Sequence, residues 1–352
     1  MKNLDECKKD IRSCSKCGLC QSVCPVYKAT GNDCTVSRGL FIMLDGLLKN
    51  KLKLSKKLKH YLDLCLMCNA CSNFCPSGID AVKIFTLAKS ELFRCSYKEK
   101  FISWIQKNII LGFGIKLVSF FSKNTKSKTF EKKVVFFGGC SSKIKGNDAP
   151  VKILNACGVE VITPEFDCCG IPFLIRGDLK NFNICMEKFA NAIEPYSSFD
   201  IVTNCASCEK ILKSYSKWSD NPSLKKLNVK NIFEYMRENN LSLSLKRRQN
   251  VTFHKPCNIN NFEDIKWILD NTTNLNYIEM QDFDSCCGLN GIFKFNNFHI
   301  LNSIFKAKRK NIMNTKTKIV LTSCLGCETA LNFYSAGKYK AQDFIEFLAK
   351  HS

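Results

Sequence analysis

Histidine is scarce in this chain, with four in 352 residues at His60, His254, His299 and His351. No GxGxxG motif follows a strand-like run, and there is no P-loop and no nucleophile elbow. These absences exclude a self-contained nucleotide-dependent dehydrogenase, a nucleoside triphosphatase and an α/β-hydrolase. Hydride chemistry then belongs to another chain, and no residue here is expected to serve as a substrate acid or base. The N-terminus, MKNLDECKKDIRSC, has no apolar leader. The expected location is therefore the reducing cytoplasm, where thiols stay free. Acidic residues are also few, 31 against 53 Lys and Arg, for a formal charge of +22. The basic residues are scattered and lack an aromatic or helical recognition motif, so nucleic acid is not an expected partner. An acidic protein, an anionic membrane surface and a lysine-rich surface that merely solvates the molecule all remain open.

Cysteine is abundant, with 23 residues. Eight fall into two copies of one run, Cys14-x2-Cys17-x2-Cys20-x3-Cys24-Pro25 and Cys65-x2-Cys68-x2-Cys71-x3-Cys75-Pro76. Three thiolates at this spacing wrap one loop around three corners of a 4Fe-4S cube. In two-cluster ferredoxins the fourth Cys, ahead of Pro, ligates the other cluster. The expected ligand sets are Cys14, Cys17, Cys20 and Cys75 for the first cubane cluster, and Cys65, Cys68, Cys71 and Cys24 for the second. Tetrahedral zinc needs only two CxxC pairs and would not call for a third Cys or the Cys-Pro. Each oxidised cube with four thiolates carries about −2, so the clusters offset part of the basic excess.

Residues 78–130 read as helical and hold the most apolar stretch, FISWIQKNIILGFGIKLVSFF at 101–121. Lys107, Lys116, Gly112 and Gly114 interrupt it, against the pattern of a membrane span. Its aromatics, Trp104, Phe113, Phe120 and Phe121, are flanked by lysines. Two expectations follow, a peripheral position at a membrane interface and a helix buried between domains. The polar stretch at 122–133 reads as a linker.

Beyond the linker the chain repeats. Cys140, Cys168-Cys169-Gly170 and Cys205-x2-Cys208 recur as Cys257, Cys286-Cys287-Gly288 and Cys324-x2-Cys327, at offsets of 117, 118 and 119 residues. So small a drift marks a duplicated domain. VVFF, VEVI and IVTN lead into the first set, and VTF, YIEM and KIVL into the second. Each is a short β-branched or aromatic run followed by a helix-like stretch, the pattern of a parallel sheet with crossover helices. Such sheets bind ligands outside the carboxyl ends of their strands. Three strands in each copy would bring five thiols to one crevice, a site for an iron–sulfur cluster or for zinc.

The CCG pattern resembles the cysteine-rich domain of the heterodisulfide reductase B subunit. A ferredoxin-like domain followed by two such repeats resembles the glycolate oxidase iron–sulfur subunit family, with relatives in lactate and anaerobic glycerol-3-phosphate oxidation. The carriers are CSKCGLCQSVCPVYKATG at 14–31, SRGLFIML at 37–44, LDLCLMCNACSNFCPSGI at 62–79, CCGIPF at 168–173, FHKPC at 253–257, CCGLNG at 286–291 and LTSCLGCETAL at 321–331. The resemblance covers nearly the whole chain. It implies an electron-transfer subunit of a flavin-linked glycolate or lactate dehydrogenase complex. Such a subunit carries no flavin and relays electrons from a flavoprotein toward quinone, at the inner face of the membrane. It also implies one or two further clusters, non-cubane in the reductase relatives, on Cys140, Cys168, Cys169, Cys205 and Cys208 and on Cys257, Cys286, Cys287, Cys324 and Cys327. The alternatives are a CCG-cluster reductase of a disulfide, a subunit of anaerobic glycerol-3-phosphate dehydrogenase, and a cluster-bearing sensor.

The expected fold is a multidomain α+β and α/β chain. A two-cluster ferredoxin-like domain in a helical setting spans 1–97, a helical connector and linker 98–133, and two duplicated α/β CCG domains with small parallel sheets 134–240 and 250–352. His254, three residues before Cys257, either tunes the second CCG site or is a histidine packed at a strand end. Cys7, Cys34, Cys95, Cys157 and Cys185 read as small hydrophobes or free thiols.

Overall fold

The computed structural model describes residues 3–110, 125–259, 261–289 and 297–352. Residues 111–121 of the apolar stretch and 122–124 of the linker lie outside the described residues. The chain forms two units. One comprises Met1–Trp104, Pro172–Phe182 and Ser285–Lys308, and the other Ile105–Ile171, Asn183–Asp284 and Arg309–Ser352.

The described residues of the first unit contain helices and loops. Its helices include Ser37–Leu48, Lys56–Leu64 and Ala81–Arg94. Ser55 and Asp80 start two of them by accepting from the backbone N–H groups of Leu58 and Lys83, which satisfies donors the first turn leaves open. Leu40, Leu44, Leu62, Ile84, Phe85 and Leu87 are buried, and the Phe41 and Phe85 rings meet at 5.4 Å. Val26, Leu64, Ile300 and Ile304 form a second apolar cluster in the same unit.

The second unit holds two four-stranded sheets. Strands β1 (Lys133–Phe136), β2 (Glu160–Ile162), β3 (Asp200–Thr203) and β4 (Val229–Asn231) lie in the order β2-β1-β3-β4. Strands β5 (Ser244–Phe253), β6 (Thr273–Tyr277), β7 (Ile319–Thr322) and β8 (Lys340–Asp343) repeat it as β6-β5-β7-β8. Every pairing is parallel, with Val135 beside Ile201 in one sheet and Thr252 beside Val320 in the other. Val134, Val202, Val251 and Leu321 on the central strands are fully buried, as expected of sheets covered by crossover helices.

Five of the six expected strand runs coincide with strands. YIEM does not, because β6 occupies 273–277 and ends on the first residue of that run. β4 and β8 were not expected. Each is short and mostly polar, with Val229 and Ala341 the single apolar residues, so neither stands out as a β-branched run. One core joins both sheets, running from Val134, Val161 and Val202 through Ile232 and Phe233 to Phe253, Leu321 and Phe344.

Candidate metal centres

The two ferredoxin runs fold alike, and the reason is visible residue by residue. On either side of the middle cysteine the backbone is left-handed, at Lys16 (φ 60°) and Gly18 (φ 86°) in the first run and at Met67 (φ 53°) and Asn69 (φ 66°) in the second. Two left-handed residues around one Cys curl the loop so that three thiols converge, before the short helices Leu19–Val23 and Ala70–Asn73 carry the chain away. Cys24 caps the helix Pro25–Thr30, with its Sγ accepting from Tyr27 N–H at 3.4 Å.

Two cavities sit against these loops. One is lined by Cys14, Cys17, Cys20 and Cys75, the other by Cys24, Cys65 and Cys68, and Cys71 borders both. Electrostatics separates the groups. Cys71 feels Cys65, Cys68 and Cys24, while Cys20 feels Cys14. The structure therefore brings the fourth Cys of each run beside the first three of the other. Burial pushes the Cys24 thiol up to about 12 and raises Cys65 and Cys71 as well. Thiols held neutral by burial release protons when a metal takes them, so cluster assembly and pH are coupled here. Four soft sulfur donors around a cavity of this kind fit iron–sulfur chemistry.

Arg38 lines the first cavity, and Gly39 follows it on the same helix. Arg38 pairs with Asp33 at 2.9 Å. A Cβ at Gly39 would lie 2.0 Å from the Asp33 carbonyl oxygen, so only glycine lets the helix Ser37–Leu48 pack this closely on the chain at Asp33.

In the second unit, β1, β2 and β3 each end near a thiol of the first CCG set. Cys140 follows β1 within the helix Gly139–Lys145, Cys168 and Cys169 follow β2, and Cys205 and Cys208 sit at the start of the helix Ala206–Ser214 after β3. Cys208 Sγ donates to Cys169 Sγ at 3.6 Å, and Tyr215 Oη donates to the Cys169 carbonyl at 2.8 Å. Hydrogen bonds from Cys168 and Cys208 draw Cys169 down to about 6, whereas the bond to Cys168, together with burial, raises Cys140. The glycine of the motif has a backbone role in both copies. Gly170 (φ 81°) donates to Cys168 Sγ and Gly288 (φ 82°) to Cys286 Sγ, each at 3.4 Å.

Of the second set, Cys257, Cys324 and Cys327 belong to the second unit, and Cys286 and Cys287 to the first. Cys324 is held well below the usual thiol range by hydrogen bonds from Cys205 and Cys327. Cys205 and Cys324 occupy equivalent places in the repeat, so the duplication brings matching thiols of its two copies together. His254 is fully buried just after β5, with a ring nitrogen within 4.8 Å of Cys327 Sγ. Among the extra cysteines Cys7 and Cys185 are buried and Cys95 is exposed.

Comparison with known proteins agrees with this organisation. The 4Fe-4S dicluster domain matches residues 10–79, and the CCG cysteine-rich domain matches twice, at 134–213 and 251–332. The glycolate oxidase iron–sulfur subunit of Escherichia coli is 20% identical over 96% of this chain and 93% of its own. One component of the CoM/CoB fumarate reductase of Methanothermobacter marburgensis is 26% identical, covering 97% and 72%. One component of the dihydromethanophenazine:CoB–CoM heterodisulfide reductase of Methanosarcina acetivorans is 22% identical, covering 92% and 88%. The chain is thus an iron–sulfur protein that joins a 4Fe-4S dicluster domain to two CCG cysteine-rich domains, and it is similar to glycolate oxidase iron–sulfur subunits.

Proposed function

We propose that this chain is the iron–sulfur electron-transfer subunit of a flavin-linked 2-hydroxy acid dehydrogenase, of glycolate or lactate type. The observation that carries the reading is the pair of thiol-lined cavities, with Cys75 beside Cys14, Cys17 and Cys20 at one and Cys24 beside Cys65, Cys68 and Cys71 at the other. Cys14, Cys17, Cys20 and Cys75 would hold one 4Fe-4S cluster, and Cys65, Cys68, Cys71 and Cys24 the other. Bound clusters supply one-electron redox chemistry, which suits a relay between a flavin and quinone. The protein's part is to fix the thiols, bury them and set the charge around them. The two CCG sets would hold further clusters, with five thiols available to each. The test is reconstitution with a flavin-bearing 2-hydroxy acid dehydrogenase chain of the same organism: reduction of a quinone analogue that depends on both chains and on the hydroxy acid supports the reading, and flavoprotein turnover indifferent to this chain sinks it.

A second reading, reduction of a disulfide at a CCG site, is favoured by the five thiols kept in both copies and by the likeness to the heterodisulfide reductase component of Methanosarcina acetivorans. Disulfide reduction by the chemically reduced chain, lost in Cys169→Ser but retained in Cys24→Ser, would support it over the relay.

The partner surface is also inferred. On the helix Tyr97–Ile110 the side chains of Tyr97, Phe101 and Trp104 are exposed, the last two stacked at 6.1 Å, and Lys100 lies over the Tyr97 ring. Aromatic tips beside lysines suit the headgroup level of an anionic bilayer. No helix among the described residues is long and apolar enough to cross a membrane. Sedimentation with anionic vesicles, lost in Trp104→Asp and absent with neutral vesicles, would support peripheral contact, and vesicle-independent behaviour would oppose it.

A further inference from the structure

Close to the second group of thiols lies an ionic cluster that no ligand role uses. Lys89, on the helix Ala81–Arg94, is 4% exposed, and its Nζ lies 3.4 Å from the Ile175 carbonyl oxygen. Gly177 makes that approach feasible. Its φ is 86°, and a Cβ there would stand 2.6 Å from the backbone of Lys89 and Ser90, so the loop after Ile175 presses directly on the helix. A small cavity joins Lys89 to Lys59, Asp63, Glu99 and Arg176. Both carboxylates in it are engaged by other cations. Lys59 pairs with Asp63 and, at 2.8 Å, with Glu99, and Arg176 pairs with Glu99 at 2.8 Å. Three cations thus face two anions, and Lys89 is the cation whose acceptor is a neutral carbonyl.

Burying an ammonium without a counter-charge is costly. Its partner is to be sought beside the same cavity: Asp63, which lines it with Lys89, stands two residues before Cys65, and Cys65 is the first group that favours the charged form of Lys89. A cube held by four thiolates would place about −2 there, and reduction would add one more negative charge. We propose that Lys89 is the fixed counter-cation of the cluster held by Cys65, Cys68, Cys71 and Cys24, and that it raises that cluster's reduction potential. A positive charge in a dry site stabilises the more negative, reduced state more than the oxidised one. This inference rests on the cluster reading above.

The experiment is an EPR-monitored redox titration of the anaerobically purified full chain, preceded by iron and sulfide analysis. A native chain without clusters overturns the cluster reading and this inference with it. With native clusters present, Lys89→Met is expected to lower the midpoint of one cubane signal and leave the other in place. At the potential that half-reduces the native cluster, the variant cluster should be about tenfold more oxidised, or roughly 59 mV for one electron. Glu99→Gln, which removes a negative charge from the same cavity, should move the same signal upward. A loaded Lys89→Met chain with unmoved midpoints, or with both signals shifted equally, overturns the proposal. Should Lys89→Met fail to keep its iron, Glu99→Gln decides alone, and an unmoved signal counts against it.

Discussion

At the scale of single residues, the thiols make the sharpest claim, because crossed ligation is a statement about which side chains share a cluster. A Cys24→Ser/Cys71→Ser double variant removes two ligands of the same proposed cube and should retain about four cubane irons. If each run were self-contained, the same variant would damage both cubes, and iron analysis tells the two apart. Asp343 carries a separate prediction about pH. It caps the helix Phe344–His351 through Ile345 N–H and Glu346 N–H, and burial lifts its carboxyl from 3.8 to about 7 against the opposing pull of Lys145, with Glu346 and Glu328 adding to the rise. Between those values the folded chain holds a proton that the unfolded chain has lost. Stability therefore falls as pH rises through that window and stays lower above it. Asp343→Asn keeps the cap without the charge. It should raise the melting temperature at about pH 8 and change little near pH 4, and equal melting curves at the higher pH would oppose the assignment.

At the scale of elements, the close approach of the helix Ser37–Leu48 to the chain at Asp33 predicts that Gly39→Ala costs about 2–3 kcal/mol, since backbone must move to admit the methyl. Denaturant unfolding measures it, and a cost under about 0.5 kcal/mol would show the approach to be looser. The same elements show what was legible beforehand. The dicluster domain, the duplication and five of six strand runs were readable, because metal-ligand spacing and β-branched runs are local signals. β4 and β8 were not, since Val229–Asn231 and Lys340–Asp343 mix polar and apolar residues and owe their strand state to pairing with β3 and β7. The left-handed residues at Lys16 and Met67 were equally hidden, because among the four only Gly18 and Asn69 are of types that favour such a backbone. Lys89 was invisible for a different reason. A lysine in an amphipathic helix reads as solvated, and only the packing of the loop at Ile175–Gly177 buries it.

At the scale of the whole molecule, the duplicated halves share one hydrophobic core. The Phe344 ring packs on Phe233 of the first copy at 5.3 Å and on Phe253 of the second at 5.9 Å. Phe344→Ala should therefore cost about 3–5 kcal/mol and weaken both sheets in a single transition. Two separate calorimetric transitions for the CCG copies, with one unaffected, would mean that they fold independently. The proposed relay rests at this scale on several redox centres in one chain. The most direct test is iron and acid-labile sulfide content of anaerobically purified protein, with EPR of oxidised and reduced samples. The account predicts at least about eight irons with matching sulfide and two cubane signals on reduction, rising to about sixteen irons when both CCG sets are filled. Zinc in place of iron, or iron without sulfide, would contradict it.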